Sequence, residues 1–108
     1  MAGQQADLAA PLTVLAGIGP ALAIELSQSY PNPFAGSTTI GYRIANSGFV
    51  ELAVFDVMGR RVETLASGYE APGQRSIKWH ANSAAPGMYL VRLRVGDQVV
   101  TDTVVIRP

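Results

Sequence analysis

From Ser37 to Ile106 apolar and polar residues alternate with a period of two, and glycine, proline and asparagine cut the alternation at intervals of about ten residues. Strands with one buried face read this way, because successive side chains of a strand point to opposite sides of the sheet. "MYLVRLRV" is the clearest run, with Tyr89, Val91, Leu93 and Val95 facing a core and Arg92 and Arg94 facing solvent. In "STTIGYRI", Ile40, Tyr42 and Ile44 share one face and Thr39, Gly41 and Arg43 the other. In "FVELAVFD", Val50, Leu52 and Val54 point inward and Glu51, Ala53 and Phe55 lie opposite, Phe55 as a second-face contact or part of an exposed patch. "QRSIKWHA" sets Ile77 and Trp79 against Ser76, Lys78 and His80, and "QVVTDTVVI" closes the sheet.

The breaks are turns with their own chemistry. Asp56-Val-Met-Gly59 reads as a tight turn, because an aspartate can accept from the backbone two residues on and Gly59 can take positive φ. "RRVETLASGY" then returns, giving a hairpin over 49–65 in which Val62 and Leu65 fall out of phase and predict a bulge near Glu63–Thr64. "EAPG" and "NSAAPG" are further turns, and Gly96-Asp97 is a two-residue hairpin connection. About seven short strands in this pattern predict an all-β fold, an antiparallel immunoglobulin-like sandwich. The chain of 108 residues suits one domain. It has no cysteine, so burial of Trp79, Tyr42, Tyr89 and the branched aliphatics must supply its stability, at ~1.5–3 kcal/mol for each large side chain.

Composition excludes several functions. Eight basic residues balance eight acidic ones, which gives no footprint for nucleic acid and no polybasic patch for anionic lipid. A thiolate nucleophile and a disulfide framework are absent with cysteine. His80 is the single histidine, and its phase puts it on the solvent face of its strand. The acids form no close calcium-binding pattern, and Asp56 reads as a turn residue before it reads as a calcium ligand. The glycines are scattered at turns and make no phosphate loop. Arg60 and Arg61 after the turn form either a recognition patch or a solvated hairpin end. The reading points away from an enzyme, with no catalytic residue, cofactor or metal, and towards a module that is recognised.

Two segments stand apart from the alternation. Leu8 to Leu26 is apolar, but Pro11, Gly17, Gly19 and Pro20 interrupt it and no Lys or Arg precedes it, so it reads as a linker before it reads as a membrane span or signal peptide. Residues 1–24 are thus expected to form a linker or N-terminal extension, and residues 25–108 the domain. "SYPNPF" carries no reactive side chain. Pro31 and Pro33 fix φ and favour extended neighbours, so the segment is expected to stiffen the approach to the first strand, with Tyr30 and Phe34 packing against the sheet.

In order, "LSQSYPNPFAGSTTIGYRI", "VELAVFDVMGRRVETL", "APGQRSIKW" and "APGMYLVRLRVGDQVVTDTVVI" resemble the type A C-terminal sorting domain of type IX secretion substrates, over Leu26 to Ile106. The pattern is shared with the immunoglobulin-like domain of the flagellar hook-capping protein. His80 stands where that family usually has Asp or Asn, and the chain ends Arg107-Pro108. The resemblance implies a non-catalytic address label on a secreted protein, read in the periplasm by an outer-membrane translocon and removed by a sortase, with the cargo left on the cell surface or released. Carried over by match, Pro31, Asn32 and Pro33 are the first recognition motif, Asp56, Gly59 and Arg60 the hairpin motif, Gly87 and Tyr89 the G-x-Y motif, and Thr101–Ile106 the C-terminal region a translocon needs. Implied partners are the translocon, the sortase and an upstream cargo domain. No nucleic acid and no membrane insertion is expected, and the domain is expected to be a monomer. The alternatives are a carbohydrate-binding accessory module of a secreted glycoside hydrolase and a flagellar hook-capping domain. An exposed aromatic row of Tyr69, Trp79 or Phe55 would favour sugar binding, and burial of Trp79 would favour sorting.

Overall fold

A computed structural model describes residues 23–108. The linker expected over 1–24 therefore lies outside the described residues as far as residue 22, as does most of the apolar stretch Leu8–Leu26. Seven strands follow: β1 Ile24–Leu26, β2 Ser37–Ile44, β3 Gly48–Asp56, β4 Arg61–Glu70, β5 Gly73–His80, β6 Gly87–Val95 and β7 Gln98–Ile106. They form two antiparallel sheets, β1-β2-β5 and β4-β3-β6-β7. This is the two-layer arrangement of an immunoglobulin-like sandwich, as the alternation predicts.

The alternating faces meet between the sheets. Ile40, Tyr42 and Ile44 of β2 and Trp79 of β5 face Val50, Leu52 and Val54 of β3, and all are buried. Tyr89, Val91 and Leu93 of β6 and Val104 and Ile106 of β7 complete this core. Trp79 has no exposed surface and lies between Phe34, ring centroids 5.4 Å apart, and Tyr89, 5.7 Å away and edge-on. Edge-to-face and tilted ring pairs of this kind add about 0.5–1.5 kcal/mol beyond area burial.

The structure refines several expectations. β1 was not legible as a strand. It starts at Ile24, one residue before the expected boundary, and Ile24 is buried in the core. The β3–β4 hairpin runs from Gly48 to Glu70, beyond the expected 49–65, because Phe49↔Tyr69 and Gly48↔Glu70 also pair. The out-of-phase residues sit at two register shifts in place of one. Leu52 pairs with Ala66 and Ala53 with Thr64, then Val54 with Glu63 and Phe55 with Arg61, so Leu65 and Val62 are the extra residues. The first shift lets Leu65 and Ala66 both pack against the core. Phe55 is a second-face contact: it is half-buried beneath Arg92, 4.5 Å from its ring centre, and Arg61, 5.3 Å away. Phe34 packs as expected, but Tyr30 does not; it is 81% exposed, because its backbone bridges Thr39 while its ring points to solvent.

Candidate recognition site at one end of the sandwich

Pro31, Asn32 and Pro33 are exposed, and the Tyr30–Pro31 and Asn32–Pro33 peptide bonds are cis. The segment lies along the outer edge of the last strand. Phe34 donates its N–H to the carbonyl of Val105 at 2.9 Å and accepts from the N–H of Arg107 at 2.8 Å, a parallel bridge opposite Ile106. In a parallel ladder the preceding step would tie residue 32 to the carbonyl of 103 and the N–H of 105. Both bonds are present, but the side chain of Asn32 makes them. Its Nδ2 donates to the Thr103 carbonyl at 3.2 Å, and its Oδ1 accepts from Val105 N–H at 2.9 Å. A carboxamide carries the donor and acceptor of a peptide unit. Asn32 thus lengthens the ladder by one step, where prolines on either side deprive the segment of two N–H groups. Thr38, buried, donates its hydroxyl to the Pro31 carbonyl at 2.6 Å and fixes the other side of the motif to β2.

The turn after β3 closes on Asp56. Its carbonyl accepts from Gly59 N–H at 2.9 Å, and its N–H donates to the Arg60 carbonyl at 2.9 Å. Its Oδ1 accepts from the N–H groups of Met58 at 2.9 Å and Arg60 at 3.0 Å, and Oδ2 pairs with Arg60 Nε at 3.0 Å. The Arg60 N–H most of all, then the Met58 N–H and the Arg60 guanidinium, hold the Asp56 carboxyl below the usual aspartate range. Gly59 has φ of 84°, a left-handed backbone that favours glycine. Arg60 is therefore tied to the turn while staying exposed, and Arg61 reaches Glu51 Oε2 at 3.4 Å.

Tyr89 is buried, and its hydroxyl donates to the Ala85 carbonyl at 2.6 Å. A tyrosine near the start of a strand that bonds back across the preceding corner is the tyrosine corner of immunoglobulin-like sandwiches. Gly87 opens the strand at φ of 143°, again outside the range of most side chains.

The registers place all these features together. Asp56 pairs with Tyr89, Gly87 with Ile106, and Ser37 with His80, while Phe34 bridges Ile106. The Pro-Asn-Pro motif, the β3–β4 turn, the start of β6 and the end of β7 therefore occupy one end of the sandwich. Beneath them Phe34, Trp79 and Tyr89 form the aromatic cluster, and Trp79 Nε1 donates to Glu63 Oε1 of β4 at 3.1 Å. The family described as secretion system C-terminal sorting domain matches residues 28–107. The chain belongs to the type IX secretion C-terminal sorting domains. No curated protein and no solved structure matches it.

Membership implies export to the cell surface or the extracellular space, and sorting domains of this kind are typically non-catalytic. In this sorting domain the expected motif residues come together, and their neighbours show what most of them do. Asn32, Asp56, Gly59, Gly87 and Tyr89 build local structure, and Arg60 braces the turn. His80 is exposed beside Val62, Glu63 and Asn82 at the rim of an open cleft. Among the described residues no three His, Cys, Asp or Glu side chains gather as a metal site. Sequence reading missed the parts played by Thr38, which the turn before β2 folds back against Pro31, and by Glu63, whose partner Trp79 lies on a strand of the other sheet. It also passed over Val57 and Met58, which stand 65% and 76% exposed at the tip of the turn.

Proposed function

We propose that the whole folded sandwich is the sorting signal, and that the secretion machinery reads it at the end where the motifs converge. The outer-membrane translocon binds that end in the periplasm, a sortase then removes the domain, and the upstream cargo is anchored at the surface or released. Pro31, Asn32, Pro33, Asp56, Gly59, Arg60, Gly87 and Tyr89 set the shape that is recognised. The observation that carries this reading is the ladder from Asn32 and Phe34 to Thr103, Val105 and Arg107, which fastens the first motif to the C-terminal strand. A signal distributed over distant segments acquires one shape only when the chain has folded, which suits a label read as a surface. Burial of Trp79 between Phe34 and Tyr89 favours this reading over a sugar-stacking platform.

The test is delivery of a fluorescent reporter that carries a signal peptide at its N-terminus and this chain at its C-terminus, in a host with a type IX system. The reporter is expected at the surface or in the medium of the parent strain and in the periplasm of a translocon-deletion strain. Periplasmic retention in both strains would overturn the proposal.

A further inference from the structure

At the end of the sandwich away from the motifs, the chain enters the domain beside an open cleft of about 320 Å³. Ala23, Ile24, Phe49 and Val95 give it apolar walls, and none of the residues lining it is ionisable. Gly48 lets β3 pass close to β6 there, since a side chain at 48 would come within 2.9 Å of Val95 Cγ1. Phe49 stands 57% exposed at the cleft, and Tyr69, its partner across the β3–β4 ladder, is 76% exposed. Side-by-side exposed rings next to an apolar cleft mark a surface that gains from being covered.

The stretch of chain joined to this cleft has matching chemistry. Residues 12–22, which lie outside the described residues, carry Leu12, Val14, Leu15, Ile18 and Leu22, no charge, and Thr13 as the one polar side chain. Ala23 is both a wall of the cleft and the residue to which they connect. β1 sets the line of approach: the Ala23 carbonyl accepts from Ala45 N–H at 2.7 Å, one step beyond the Ile24↔Ile44 pair. Ile24 is buried and Leu26 packs against the core, and Leu22 is the next residue in the same phase. Further upstream, Pro20 has no N–H with which to prolong the ladder, and Gly17 and Gly19 admit the turn that brings Ile18 and Leu15 back. A segment tethered at the cleft meets it at a high effective concentration, which favours this occupant over a separate molecule.

We infer that residues 12–22 fold back on the domain and cover this cleft, with Leu22 beside Ile24 and the aliphatic side chains of Leu15 and Ile18 on Phe49 and Val95. The occupant is this chain's own upstream segment. The path towards an upstream cargo then leaves the sandwich as a pinned arm, at the end opposite the converged motifs. This goes beyond the sorting reading and does not rest on it, because it is a property of the purified chain.

Limited proteolysis of the full chain by elastase, which cuts beside small aliphatic residues, tests it. Cutting within a covered segment tracks the fraction of time it is open, so Phe49→Asp, which leaves residues 12–22 unaltered, is expected to speed cleavage there at least about tenfold. Trp79 fluorescence should not change, which shows that the core is intact. Met58→Asp, at the other end of the molecule, is expected to leave the cleavage rate as it was. In the unaltered chain, nuclear Overhauser effects should join the Phe49 ring to methyl groups of Leu15 or Ile18. Equal cleavage rates in the unaltered and Phe49→Asp chains, without those effects, would overturn the proposal. Equal acceleration by Met58→Asp would trace the cutting to a general loosening and overturn it too. Effects seen only between differently labelled copies would make the occupant a second copy, with the same consequence.

Discussion

Asn32 shows how much one side chain can do at an unprotected sheet edge. Edge strands present unpaired N–H and C=O groups that invite pairing with other chains. On β7 the amide of Asn32 and the backbone of Phe34 take up the outward groups of Thr103, Val105 and Arg107. A net hydrogen bond is worth about 0.5–1.5 kcal/mol, so Asn32→Ala, which removes two, is expected to cost about 1–2 kcal/mol in denaturant unfolding. Amide exchange resolves the mechanism. Val105 should lose protection in Asn32→Ala and keep it in Asn32→Asp, whose carboxylate still accepts from that N–H but cannot donate to Thr103. Unchanged protection in the alanine variant would show that the side chain does not hold the strand. Asparagine between two prolines announced a rigid segment, but nothing in the local sequence announced its bonding partner 71 residues away.

At the scale of an element, the β3–β4 hairpin joins two devices. Its register shifts let Leu65 and Ala66 both reach the core, and its turn is locked by Asp56 and Gly59. A side chain at position 59 would meet no atom within 4 Å, so Gly59→Ala tests the backbone alone. The left-handed conformation of a non-glycine residue costs about 1–2 kcal/mol, and the alanine variant should be destabilised by that amount in thermal unfolding, with the core unchanged. A loss below the error of the measurement would mean that the turn relaxes freely and is not preorganised. The turn type was legible because Asp and Gly act locally, through the backbone of the next few residues. The bulge was legible only as broken phase. Its position depends on which β4 residues face β3 across the ladder.

For the whole molecule, the two sheets are joined at the end away from the motifs by a polar link. The hydroxyl of Tyr42 in β2 donates to Glu70 at the end of β4, at 2.8 and 3.0 Å, and Arg75 of β5 lies 3.4 Å from the same carboxylate. Burial first, then the hydrogen bond to Glu70, pushes the Tyr42 phenol up to about 12. A raised value means that the fold favours the protonated form. This contribution to stability is therefore complete below pH 10, the ordinary phenol value, and is lost as the pH rises from there through about 12. Stability measured by urea unfolding should fall across that window, and Tyr42→Phe should flatten the fall. A slope of equal size in the phenylalanine variant would assign the alkaline loss to other groups.

The sequence by itself determined the strands from Ser37 onward, their inward faces and most turns, because alternation, turn propensity and glycine's freedom are properties of neighbouring residues. Buried Ile40, Leu52, Trp79, Tyr89 and Leu93 all sit on the faces their phase assigns. It also carried the resemblance to the sorting-domain family, whose match covers residues 28–107. Only the tertiary structure decided that Asn32 bonds to β7, that Trp79 meets Phe34, Tyr89 and Glu63, that Ile24 belongs to the core, and that Tyr30 stays in solvent. Each of these depends on a residue brought close by the packing of two sheets or the pairing of chain ends, and no pattern of period two records that distance.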